Sequence, residues 1–104
     1  MKEMTVQQLH EKMTNKEDFQ LIDVREEYEF EEVNLGGVLI PMSEIFSNVD
    51  KIDRDKTVVV HCRSGNRSGV VINELEKRFG FTNLYNLKGG IIAYAREIDP
   101  SMTV

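Results

Sequence analysis

The sequence predicts an α/β protein built on a parallel sheet covered by helices. Three observations lead there. Strand-like and helix-like segments alternate along all 104 residues. The clearest strand, Lys56 to His61, carries the β-branched run Thr57-Val58-Val59-Val60, a pattern suited to burial on both faces, as in parallel sheets. The segments between strands have the length and periodicity of βαβ crossovers. With no repeat, low-complexity tract or Pro/Gly linker, residues 1–104 read as a single domain.

The elements follow in order. Thr5 is an N-cap candidate and Gln8 stands three residues on, so a short helix should run to Met13 with Val6, Leu9 and Met13 on one face. Phe19 to Val24 is a strand candidate. The acidic stretch Glu26 to Glu32 reads as a short helix with Tyr28 or Phe30 turned inward. Val38-Leu39-Ile40 is an apolar run stopped by Pro41, after which Ser43 opens another short helix through Phe46. After the Lys56–His61 strand come a polar loop and a helix from about Arg67 to Phe79, with Val71, Leu75 and Phe79 on one face and Gly80 as its C-terminal stop. Leu84 to Leu87 forms a last strand, and Gly89-Gly90 turn the chain into a helix from Ile91 to about Glu97.

Composition narrows the function. The chain has 18 acidic and 13 basic residues, a net charge of −5, and one cysteine, Cys62. The acidic balance argues against nucleic acid or an anionic membrane as partner. One cysteine excludes an internal disulfide, a cysteine-rich zinc site and redox chemistry with a second internal cysteine. No metal or cofactor is expected. The first 16 residues mix charged and amide side chains and do not resemble a signal peptide. An unpaired thiol without a secretion signal points to the cytoplasm.

The chemistry concentrates after the best strand, where ligand sites of parallel α/β sheets lie. The segment His61-Cys62-Arg63-Ser64-Gly65-Asn66-Arg67-Ser68 contains no acid although the chain is acidic. The Cys62 thiol would lie near a helix N-terminus, whose N–H groups and dipole favour negative charge. Arg63, Arg67 and His61 add positive potential, which lowers a thiol pKa. Gly65 lets the backbone curl its amides inward as an anion nest. A lone cysteine is more often a small core residue, but a core cysteine would not precede Arg-Ser-Gly-Asn-Arg-Ser. The expectation is a thiolate in an oxyanion cradle that attacks an anionic substrate.

This loop resembles the active-site loop of rhodanese-domain sulfurtransferases. Leu21-Ile22-Asp23-Val24-Arg25-Glu26 with Glu29-Phe30 is similar to the family's Asp-Val-Arg segment, and Gly80 to Leu84 with Leu87-Lys88-Gly89-Gly90-Ile91 to its C-terminal block. The resemblance implies a rhodanese-like fold with a central five-stranded parallel sheet flanked by helices on both faces. It also implies a ping-pong reaction in which Cys62 takes sulfur from thiosulfate or a similar small anionic donor. Cys62 would hold that sulfur as a persulfide and pass it to cyanide, a thiol or a protein acceptor. Arg63 and Arg67 would hold the donor's sulfonate, with Ser64, Gly65, Asn66 and Ser68 completing the cradle. Two departures stand out: Asn34-Leu35-Gly36-Gly37-Val38 where relatives commonly have His-Ile-Pro-Gly-Ala, and Tyr94 where tryptophan is common. The tail from Tyr94 to Ser101 resembles the ends of rhodanese modules fused to adenylating enzymes, which makes a protein acceptor plausible.

Rival readings share the same loop. Phosphatases of related pattern place five residues between cysteine and arginine, whereas four separate Cys62 from Arg67, a tighter cradle suited to sulfur. A phosphatase or arsenate-handling enzyme is therefore the alternative, along with a non-catalytic binding module. Asp23 and Arg25, at a strand end, either support the loop or form a structural ion pair or helix cap. His61 either raises the local potential or is a buried neutral histidine. The run Glu26 to Glu32 is read as a solvated helix face.

Overall fold

The computed structural model describes residues 1–104. It has five strands, β1 (Glu3–Met4), β2 (Gln20–Asp23), β3 (Val38–Leu39), β4 (Val58–His61) and β5 (Leu84–Leu87). Four helices accompany them: α1 (Val6–Thr14), α2 (Glu27–Glu32), α3 (Asn66–Phe79) and α4 (Gly90–Glu97). The strands form one sheet in the order β1-β5-β4-β2-β3, with every pairing parallel. The predicted α/β class and five-stranded count are both met.

The β-branched run of β4 explains its central place. Val58 and Val60 face one side and Val59 the other, and all four β4 residues are buried. On the first side, Ile22, Val58, Val60 and Leu84 pack against Val71, Ile72 and Leu75 of α3 and against Ile45. On the second, Leu21, Val59 and Leu87 pack against Val6 and Leu9 of α1 and Ile91 and Tyr94 of α4. Each fully buried aliphatic side chain contributes roughly 1.5–3 kcal/mol. The Thr5–Gln8 capping box is formed, each side chain bonding the other residue's backbone N–H at 3.1 and 2.9 Å. Gly80 ends α3 at φ +72°, its N–H bonded to the Leu75 carbonyl.

One strand is added and two expectations change. β1 has only two residues and pairs with β5, too short to leave a periodic signal. The helix expected from Ser43 consists of two 3₁₀ turns, Ile45–Ser47 and Val49–Lys51. In α2 no residue is buried: Tyr28 is 66% exposed and Phe30 only half-buried. No helix is long and apolar enough to cross a membrane.

Parallel pairing brings the carboxyl ends of β2, β4 and β5 together. Asp23 pairs with His61, and Asn86 with Val60. These two pairs lie on opposite faces of the sheet, on either side of the strand that delivers Cys62.

Candidate active site

Cys62 continues the inward row Val58, Val60 and joins the core on the α3 side, only 1% exposed. The chain then turns sharply. Gly65 takes φ +105°, a left-handed conformation costly for other residues, and Asn66 begins α3. The turn aims polar groups at the sulfur. The Gly65 N–H donates to Cys62 Sγ at 3.1 Å, the Ser68 N–H approaches it at 3.4 Å, and Ser68 Oγ lies 3.3 Å away. Burial pushes the thiol pKa up. Hydrogen bonding by Ser68 and by the Gly65 and Ser64 N–H groups pulls it down, and the net direction is below its ordinary value of 9.0.

The carbonyls of this turn are held from behind. Ile91 N–H donates to Cys62 O at 3.0 Å and Ile92 N–H to Arg63 O at 3.1 Å. The start of α4 thus spends two of its free N–H groups on the loop. The approach demands glycine: a Cβ on Gly90 would lie 2.3 Å from Arg63 O and 2.7 Å from Cys62 O, at φ +64°.

The arginines diverge. Arg67, in the first turn of α3, gives both terminal nitrogens to Glu29 of α2, at 2.7 and 3.0 Å. That fork holds the Glu29 carboxyl at about 2, well below its ordinary 4.5. Arg63 is exposed and lines a groove of about 220 Å³ with Arg25, Tyr28, Glu29, Glu32, Val33 and Val104. Of the other loop residues, Ser68 is buried against the sulfur, while the Ser64 and Asn66 side chains are exposed. Arg63 is the exposed cation of this groove, while Arg67 stands behind Glu29, which lines it.

The predicted supporting residues lie on the other face. Asp23 accepts from the Arg25 N–H and Nε at 3.0 Å each and from Nη2 at 2.8 Å. Arg25 Nη2 also donates to Val33 O at 2.7 Å, and both side chains are buried. His61 is fully buried, its Nε2 3.6 Å from Asp23 Oδ2 and its Nδ1 3.4 Å from Cys62 O. Burial outweighs the Asp23 charge and pushes its pKa below 6.5. Asp23 and Arg25 thus form a buried ion pair beside a neutral histidine. His61 adds no charge to the site at neutral pH.

The chain matches the rhodanese-like domain family over residues 5–97. It belongs to that family. It is 35% identical over 95 residues to a sulfurtransferase of Allochromatium vinosum, covering 90% of this chain and 88% of that protein. It is 34% identical over 104 residues to the probable adenylyltransferase/sulfurtransferase MoeZ of Mycobacterium tuberculosis, covering 97% of this chain and 26% of that protein. Among the longer curated relatives it matches, the chain spans between 24% and 48% of their length. The crystal structure of a rhodanese-related protein from Thermoplasma volcanium superposes with a TM-score of 0.80 at 26% identity, covering 94% of each chain.

Two residues of this rhodanese-like domain join the site without being evident from the sequence. Glu29 belongs to the acidic run expected to be a solvated face, yet it grips Arg67. Asn86 accepts from Ser68 Oγ at 2.6 Å and donates to Gly65 O at 3.1 Å. A signal for Asn86 does exist: it is a polar residue at an inward position of a strand, in line with Leu84.

Proposed function

We propose that this rhodanese-like domain is a thiosulfate sulfurtransferase with Cys62 as its nucleophile. The observation that carries the reading is the sulfur itself, set between a strand and a helix with two N–H groups and a hydroxyl within 3.1–3.4 Å. The Cys62 thiolate attacks the outer sulfur of thiosulfate. The S–S bond of the donor breaks, and sulfite leaves with the electron pair. The persulfide on Cys62 carries its charge on the outer sulfur, where loop amides solvate it. Cyanide, a thiol or a protein nucleophile then attacks that sulfur. The Sγ–S bond breaks and the thiolate returns.

Arg63 and Arg67 steer the dianion, Arg63 as the free charge at the groove and Arg67 as the planar fork. Gly65 and Ser68 hold the sulfur, and Ser64 and Asn66 flank the loop. Asp23, Arg25 and His61 act beneath it as support. Residues 1–104 work as one unit, without metal or cofactor. The likeness to MoeZ, whose name joins adenylyl transfer to sulfur transfer, supports a protein acceptor. A reactive unpaired thiol suits a reducing compartment such as the cytoplasm.

The test is thiocyanate formation from thiosulfate and cyanide, with intact mass after thiosulfate alone. Wild type is expected to gain one sulfur atom and turn over, and Cys62→Ala to do neither. Equal thiocyanate from both proteins overturns the reading. Hydrolysis of an aryl phosphate that is lost in Cys62→Ser favours the phosphatase alternative.

A further inference from the structure

We infer that Asn86 is a positioning residue that sets the direction of the single Ser68 hydroxyl proton and thereby restrains the reactivity of Cys62. A serine hydroxyl has one proton to donate. Ser68 Oγ has two polar neighbours, Asn86 Oδ1 at 2.6 Å and Cys62 Sγ at 3.3 Å. The Asn86 orientation is fixed, because its amide nitrogen donates to Gly65 O at 3.1 Å, so its oxygen faces Ser68. A carbonyl oxygen only accepts, and the Ser68 proton therefore lies on the Asn86 side.

Toward Cys62 the hydroxyl then presents lone pairs. That arrangement accepts a proton from a neutral thiol; the Ser68 hydroxyl bond that draws the Cys62 pKa down forms only when the proton turns from Asn86 to the thiolate. When Cys62 ionises, its proton goes to solvent. The Ser68 hydroxyl must rotate about its Cβ–Oγ bond to donate to the sulfur, leaving Asn86 Oδ1 without its partner. Ionisation thus costs one buried hydrogen bond, for Asn86 is only 6% exposed and Ser68 is fully buried. Asn86 is kept from following by its own anchor, the 3.1 Å bond from its amide nitrogen to Gly65 O. The charged and titratable groups around Cys62 are Arg63 on the loop, Arg67 of α3 with Glu29 of α2, and Asp23, Arg25 and His61 on the β2 and β4 side. None is an atom of this relay, and all stay the same when Asn86 is changed.

The inference rests on Cys62 being the nucleophile, but its test needs no sulfur donor, so it can fail while sulfur transfer stands, and the reverse. Iodoacetamide alkylation of Cys62 is followed between pH 6 and 10 in wild type, Asn86→Ala, Ser68→Ala and the double variant. Asn86→Ala is expected to react several-fold faster than wild type at pH 7, with its rate midpoint at lower pH. In the Ser68→Ala background, Asn86→Ala is expected to bring no such gain. Asn86→Asp, which keeps the acceptor, should be no faster than wild type. A slower or unchanged Asn86→Ala overturns the inference, as does an equal acceleration without Ser68. Should Asn86→Ala fail to fold, the S–H stretching band decides: it is expected at lower frequency in wild type than in Ser68→Ala, and equal frequencies overturn the inference.

Discussion

Glu29 of α2 holds Arg67 of α3 by both carboxylate oxygens, at 2.7 and 3.0 Å. The acidic helix is thus tied to the first turn after Cys62, and one of the two loop arginines is partly neutralised before any anion arrives. Glu29→Gln removes the opposing charge. It is expected to lower KM for thiosulfate while leaving kcat within about twofold, and to cost about 1 kcal/mol of stability. Arg67→Ala should raise KM, and Arg67→Lys should not restore it, since an ammonium cannot reproduce the fork. Steady-state thiocyanate assays and urea midpoints measure all three. A KM for Glu29→Gln above wild type would show that the pair serves to orient Arg67 for the donor instead.

Gly90 gives a sharper structural test. A Cβ there would meet Arg63 O at 2.3 Å, whereas one at Gly80 meets nothing within 4 Å, although both have positive φ, +64° and +72°. Gly80→Ala therefore carries only the backbone cost, about 1 kcal/mol, and leaves activity unchanged. Gly90→Ala must also push α4 off the loop, for a total of about 3 kcal/mol and loss of most activity. Thermal unfolding separates them, at roughly 4–8 °C per kcal/mol for a domain of this size. Equal Tm losses for the two variants would contradict the packing described between α4 and the loop.

What is legible in the sequence and what is not differ in range. β4 can be read because burial on both faces leaves a continuous β-branched run, and the Thr5–Gln8 box because its partners are three residues apart. The Cys62 loop can be read because its charge reversal and glycine lie within eight residues, His61 to Ser68. Glu29 is lost in the acidic run because its partner is 38 residues away. Asn86 is hidden because Ser68 is 18 residues away and the pair meets only where α3 packs against β5. β1 is defined wholly by pairing with β5. His61 and Asp23 are each visible at a strand end, but only their register, side by side on parallel strands, makes them a buried cluster.

Acid should weaken the fold in two steps. His61 is buried neutral with its pKa pushed below 6.5, so the unfolded chain takes its proton more readily. Its full contribution is present above pH 6.5 and is lost as pH falls from there through the lowered value. Glu29 is held at about 2 against 4.5, so the stability of its pair is present above pH 4.5 and lost as pH falls toward 2. Each group steepens the fall by at most about 1.4 kcal/mol per pH unit. Urea midpoints from pH 8 to pH 2.5 measure this. His61→Asn should flatten the upper step only, and Glu29→Gln the lower only; a wild type flat between pH 6.5 and 5 would exclude the histidine's part.

The Asp23–Arg25 pair makes the strongest stability prediction. Both side chains are at most 2% exposed, and the guanidinium contacts Asp23 by three bonds of 2.8–3.1 Å. Removing one partner strands the other's charge in the core. Asp23→Leu and Arg25→Met are each expected to cost about 3–5 kcal/mol. The double variant buries no charge and recovers apolar packing, so it should cost less than the sum and no more than either single change. The Val33 carbonyl and His61 Nε2 lose neighbours in the double variant, which keeps it below wild type. Guanidinium unfolding of the four proteins yields the coupling. Strictly additive losses would mean that the two charges do not compensate one another, and that the contacts of Asp23 and Arg25 with the surrounding backbone outweigh the ion pair.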